Sequence, residues 1–177
     1  MDPKHEDVFK HNPLAPGRNI RLLALEPSGD INSEIRCRLI EPSLDEARGA
    51  YEALSYVWGS QIFDHKIICN DKPFYITTNC FLALRYLRKK ANVRSLWIDA
   101  ICIDQSSNDE RGHQVELMGE IYKFADNVII WLGEPQPGTR RAFQRAHLFY
   151  RLTRVVKEAE KLATFLPLLE HTWFQRI

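Results

Sequence analysis

A chain of 177 residues, 45% hydrophobic and 27% charged, has room for one packed domain and a tail. Its formal net charge of +1 excludes the strong field that steers proteins to nucleic acid or anionic lipid, and no apolar run is long enough to span a bilayer. The first 17 residues are polar, contain Pro3, Pro13 and Pro16, and lack the apolar core of a secretory signal.

Residues 1–18 read as a flexible leader ending at Pro16-Gly17, and residues 19–177 as one domain. Ile20 to Leu25 is an apolar strand closed by Pro27-Ser28-Gly29-Asp30, and Ile35 to Ile40 alternates Ile35, Cys37 and Leu39 against Arg36 and Arg38. Pro42 to Gly49 is a loop, and Tyr51 to Trp58 a strand stopping at Gly59-Ser60. Lys66–Cys69 and Phe74–Ile76 flank Asn70-Asp71-Lys72-Pro73, the signature of a hairpin. Thr78 or Asn79 caps a helix reaching to about Ala91, with Cys80, Leu84 and Leu87 on its apolar face. Ser95 to Ile103 reads as a buried strand running into a loop. A helix from about Asp109 to Ala125 presents Val115, Met118, Tyr122 and Ala125 to the core. Val128 to Leu132 is a continuous apolar run and reads as a central strand; residues 139–169 then read as helical, with a break at Pro167. This order predicts an α/β fold, a mixed, mostly parallel sheet flanked by helices, with an added N-terminal antiparallel region.

Cys37, Cys69, Cys80 and Cys102 form no CxxC pair and fit no zinc spacing, so a reducing compartment, the cytoplasm, and no metal site are expected. Arg85, Arg88, Lys89, Lys90 and Arg94 cluster, either as a solvated helix face or as an anion site.

The candidate chemistry lies in two blocks. On the strand from Tyr51, alternation puts Glu52, Tyr56 and Trp58 on one face and Ser55 on the other. A carboxylate beside two aromatics can form a binding wall with a raised pKa, or can pair with an arginine while the aromatics pack. Asp99, following the apolar Leu96–Ile98, needs polar partners; it can bind a hydroxyl or orient a catalytic group, or can organise the following loop together with Asp104 and Gln105. Glu110 and Arg111 open the next helix, as cap and salt bridge or as phosphate holders. Glu52, Asp99 and Asp104 are therefore the catalytic candidates. Ser55, Tyr56, Trp58, Gln105, Glu110 and Arg111 are the ligand-binding ones.

The first block is Tyr51-Glu52-Ala53-Leu54-Ser55-Tyr56-Val57-Trp58-Gly59. The second runs from Leu96-Trp97-Ile98-Asp99-Ala100-Ile101-Cys102-Ile103-Asp104-Gln105 through Glu110-Arg111 to Val128-Ile129-Ile130-Trp131-Leu132-Gly133. Together they closely resemble the signature blocks of the fungal heterokaryon-incompatibility (HET) domain. A third block of that family begins with Trp173-Phe174-Gln175-Arg176-Ile177, where the sequence stops, so the domain is expected to be incomplete at its C-terminus. The resemblance implies a role in fungal non-self recognition and programmed cell death, through a protein partner or self-association. It also implies a distant likeness to Toll/interleukin-receptor (TIR) domains, some of which cleave NAD with a glutamate. NAD is thus the candidate substrate, and the family's own glutamate falls beyond Ile177. The alternative is a non-catalytic or remnant HET protein, of the kind encoded in secondary-metabolite gene clusters.

Overall fold

A computed structural model describes residues 7–134 of the chain. The expected helix over 139–169 and the Trp173–Ile177 block lie outside the described residues. The elements in order are β1 (Leu22–Leu25), β2 (Arg36–Ile40), β3 (Glu52–Tyr56), β4 (Phe63–Cys69), β5 (Lys72–Thr77), α1 (Thr78–Leu87), β6 (Arg94–Trp97), α2 (Asp99–Cys102), α3 (Asn108–Phe124) and β7 (Asn127–Trp131). The strands form one seven-stranded sheet in the order β5-β4-β2-β1-β6-β3-β7.

The fold is α/β as expected, but its sheet is evenly mixed rather than mostly parallel. Three interfaces are parallel (β2–β4, β3–β6, β3–β7) and three antiparallel (β1–β2, β1–β6, β4–β5). The expected antiparallel N-terminal region is present, and it does not stand apart: β1 lies inside the sheet, with Leu23 opposite both Leu39 and Leu96. Helices cover both faces. Trp97, in register with Ala53, meets Tyr122 of α3 edge-on, whereas Trp131, in register with Tyr56, meets Asn79 and Tyr86 of α1. Ala53 and Tyr56 are three residues apart on one strand and so point to opposite faces. Between these layers Leu23, Leu25, Leu54, Leu96, Trp97 and Ile67 are fully buried.

Local chemistry explains most boundaries. Asn70 and Asp71 both take positive φ, +48° and +62°, the backbone of a two-residue turn between β4 and β5 that suits the twist of its strands. Pro73 is tolerated because β5 is the sheet's outer strand on that side. The Thr77 hydroxyl caps α1 by accepting from the Cys80 amide. That helix ends at Leu87, short of Ala91, where Arg94 Nη1 donates to the Leu87 carbonyl at 2.8 Å. Ser107 caps α3 through the Glu110 amide.

Three expectations are corrected. The apolar run from Ser95 to Ile103 is not one strand: β6 ends at Trp97, and the one-turn helix α2 follows, because the Ile101 and Cys102 amides bond back to the Ile98 carbonyl. Periodicity alone cannot separate a buried strand from a buried helical turn. The inward face of α3 is wider than expected: Met118, Tyr122 and Ala125 do pack against the core, but the most deeply buried residues are Gln114, Leu117, Ile121 and Phe124, and Val115 is 54% exposed. Two apolar stripes overlap on α3, and on the deeper one the Gln114 amide donates to the Asn19 carbonyl at 2.9 Å. Among the described residues β7 pairs with β3 alone, so it is terminal rather than central, and Val128 and Ile130 are 41% and 50% exposed. Part of the N-terminal segment lies against the hairpin of β4 and β5. The Phe9 amide donates to the Pro73 carbonyl at 2.8 Å, and the Phe9 ring packs on Phe74 at 5.2 Å.

Candidate functional site

Parallel strands bring their carboxyl ends to one edge of a sheet, and α/β proteins place ligands just beyond such ends. Here β3, β6 and β7 run parallel, so Trp58, Asp99 and Trp131, from three distant stretches of sequence, converge. The Trp58 indole Nε1 donates to Asp99 Oδ2 at 3.0 Å, while Asp99 Oδ1 accepts from the Ala100 amide at 2.8 Å. Gln105 Nε2 reaches back to the Asp99 carbonyl at 2.9 Å. At the same edge of the sheet, Asn79 at the start of α1 accepts from the Trp131 indole at 3.0 Å and donates to the Val57 carbonyl, tying β7 to the loop after β3. Gly59 turns that loop with φ +72°, a conformation that favours glycine. The Tyr86 ring lies 5.3 Å from that of Trp131.

Beneath this rim the groups are neutral. Tyr56 and Cys80 are buried, and burial pushes the Tyr56 hydroxyl far up and the Cys80 thiol to about 12. Burial likewise pushes the Cys102 thiol to about 12, which removes it as a nucleophile at neutral pH.

The remaining candidates separate. Glu52 lies at the opposite end of β3, four residues from Tyr56, or about 13 Å along the strand at roughly 3.3 Å per residue. It pairs bidentately with Arg94 at 2.6 and 2.9 Å beside a cavity of about 330 Å³ lined by Lys89, Val93 and Asp126. The Arg94 guanidinium holds its carboxyl below the ordinary value of 4.5, so of the two alternatives for Glu52 the structure has the arginine pair. Ser55 is half-buried in mid-strand, in register with Ile130.

Asp104 and Glu110 belong to a second cluster around Arg21, which is 1% exposed. Arg21 donates to both Glu110 oxygens at 2.5 and 2.9 Å and to the Cys102 carbonyl at 3.0 Å. Glu110 also accepts from the Asp104 amide at 2.7 Å. Burial pushes the Glu110 carboxyl up, but Arg21 and the Asp104 amide outweigh it and the carboxyl lies below 4.5. Burial acts the same way on Asp104, where the Ser106 hydroxyl and amide prevail and hold the group below 3.8. Arg111 is exposed and donates to Asn108 at 2.9 Å, within its own helix turn.

Of the expected site residues, Trp58, Asp99 and Gln105 thus meet at one edge of the sheet, together with Asn79, Tyr86 and Trp131, which were not among the candidates; nor was Arg21. Arg21 carried a visible signal, a lone charge inside the apolar Ile20–Leu25 run. In sequence Asn79 is a candidate helix cap, and Trp131 sits in the apolar run Val128–Leu132. Among the described residues no group of three or more His, Cys, Asp or Glu side chains could hold a metal ion, and no helix is long and apolar enough to cross a membrane.

Comparison with known proteins bears on both blocks. The family described as Heterokaryon incompatibility protein (HET) matches residues 51–177. "Heterokaryon incompatibility protein 6, OR allele" of Neurospora crassa is 34% identical over 143 residues, covering 72% of this chain and 21% of that protein. The chain thus spans about a fifth of the length of that relative. No solved structure matches. The family match takes in β3, the whole turn after β6 and β7, the elements that meet at the Trp58–Asp99 cleft, and the chain belongs to the heterokaryon incompatibility (HET) family.

Proposed function

We propose that this HET domain is an effector module of fungal non-self recognition, and that the cleft at the carboxyl ends of β3, β6 and β7 is where it binds the ligand that leads to cell death. The observation that supports this reading is the pairing of Trp58 with Asp99. Two sequence blocks some forty residues apart contribute an aromatic donor and a carboxylate to one rim, the Trp58 indole donating to Asp99 Oδ2 at 3.0 Å. Trp58, Tyr86 and Trp131 offer flat aromatic surface to a planar ring, and Asp99 and Gln105 offer polar groups to a sugar hydroxyl. A nucleotide such as NAD has both features, and NAD is the ligand we would test first. Ser55 and Tyr56 lie on the strand beneath. In this reading Glu52, Asp104, Glu110 and Arg111 keep the domain in shape rather than touch the ligand.

Inducible expression in a filamentous fungus tests the function. Wild-type chain is expected to cause growth arrest and vital-dye uptake, and a folded Trp58→Phe, Asp99→Asn double variant is expected to abolish both. Undiminished killing by that variant would remove the cleft from the mechanism. Absence of killing by the wild type would favour a non-catalytic interaction protein. Incubation of the purified protein with NAD, followed for nicotinamide release, tests the cleavage step separately.

A further inference from the structure

Asp99 enters the cleft from α2, a helix of only four residues with no side-chain cap at its N-terminus. So short a helix has little stability of its own. Its far end is held from outside. His11 Nε2 lies 2.8 Å from the Ile101 carbonyl, an acceptor, so that nitrogen carries the proton. Arg21 Nη1 holds the Cys102 carbonyl, and Arg21 Nη2 donates to the Asn12 carbonyl at 2.5 Å. Both donors lie before residue 51, outside the stretch matched by the family. The segment bearing His11 is fastened on each side: upstream by Phe9 on Phe74 and the Pro73 carbonyl, downstream by the His113 ring, which donates to the Gly17 carbonyl at 2.9 Å. The His11 side chain is 9% exposed, packs edge-on against Phe9 at 5.1 Å, and has Nδ1 4.0 Å from Asp104 Oδ1.

We propose that residues 7–17 are a strap that sets the position of Asp99 against Trp58 by holding the far end of α2, with His11 as the positioning residue. The bond from His11 to Ile101 fixes the helix at the end opposite Asp99. Slackening the strap lets α2 shift, and the Trp58 indole then loses its acceptor. The N-terminal segment becomes a handle on the cleft, available to anything that lifts it. This goes beyond the proposed function and holds whatever the cleft binds.

Nuclear magnetic resonance on the full chain tests it, with the Trp58 indole N–H signal identified by its loss in Trp58→Phe. His11→Ala is expected to move that signal toward the water-exposed position. It should also speed exchange of the Cys102 and Ile103 amides, which close α2 onto Ile98 and Asp99, by roughly two- to tenfold, the worth of one hydrogen bond. The Trp131 indole, bonded to Asn79, stays where it is. His11→Gln, whose amide can donate to the same carbonyl, should restore both readings. Phe9→Ala, which loosens the strap without touching α2, should reproduce a smaller shift at Trp58 and keeps the proposal open to refutation should His11→Ala not fold. An unmoved Trp58 signal in folded His11→Ala or Phe9→Ala protein overturns the proposal. So does equal movement of all indole signals, which would mean general loosening.

Discussion

Replacing Arg21 by methionine keeps an unbranched apolar stem and deletes the guanidinium charge. The guanidinium is 1% exposed and its partner Glu110 only 11%. The variant leaves the Glu110 carboxylate buried without its counter-ion, and the Asn12 and Cys102 carbonyls without a donor. Breaking a buried pair from one side costs about 3–5 kcal/mol, because the surviving charge stays desolvated. Against a total stability of about 5–15 kcal/mol for a domain, that brings the protein close to unfolding at room temperature. Urea unfolding followed by tryptophan fluorescence should show a lower midpoint with an unchanged slope. Arg21→Met combined with Glu110→Gln should recover part of the loss, since no orphaned charge remains. The pH dependence has a fixed sign. The Glu110 carboxyl is lowered below 4.5 in the fold, so the stability it confers is full above the unfolded value and is lost as pH falls through its folded pKa. The gap between wild type and Arg21→Met should therefore narrow below about pH 4. A loss under about 1 kcal/mol at neutral pH, or a gap unchanged in acid, would refute the reasoning that this ion pair is what holds β1 to α3.

Other outcomes follow from the same geometry. Trp58→Phe keeps one aromatic ring but loses the indole N–H donor, and the lost hydrogen bond should lower stability by about 0.5–1.5 kcal/mol in urea unfolding. Glu52→Gln, in a partly exposed pair with Arg94, should cost about 1 kcal/mol or less and leave killing intact in the expression assay; loss of killing in a folded protein would return Glu52 to the cleft's chemistry. Leu54→Ala, fully buried in the core, should cost about 2–5 kcal/mol by calorimetry. Cys80 and Cys102 should resist alkylation in the native protein at pH 8, since burial raises both thiols to about 12; labelling as fast as in urea would contradict the burial described for them.

The sequence was most legible where one local rule decides. Asn70-Asp71 announced its turn, Cys80, Leu84 and Leu87 announced the buried face of α1, and β1 to β3 lie within their expected spans. It was least legible where competing patterns coexist. The apolar residues from Leu96 to Ile103 satisfy both a strand and a turn of helix, and the two stripes of α3 differ by one residue. The site was half legible. Asp99 and Trp58 stood out as polar or aromatic groups at the ends of apolar runs. That Glu52 belongs elsewhere depends on Arg94, a partner 42 residues away whose approach only the sheet register decides. Strand order itself left no local trace, and so the inside place of β1 and, among the described residues, the outside place of β7 could not be read.

That inside place of β1 bears on how the chain is made. Among the described residues, strands β2, β4 and β5 join β6, β3 and β7 only through Leu22–Leu25. A fragment starting at residue 51, where the family match begins, would therefore hold two half-sheets with raw edges and no seam between them. In the growing polypeptide β1 emerges first and can pair at once with β2, but its other side must wait until Arg94–Trp97 has been synthesised. Over that interval of about 70 residues, several seconds at the usual pace of translation, an unpaired edge rich in leucine stays open to solvent. The nascent domain is most vulnerable to misassociation then, and a ribosome-bound chaperone would have its clearest opportunity to act.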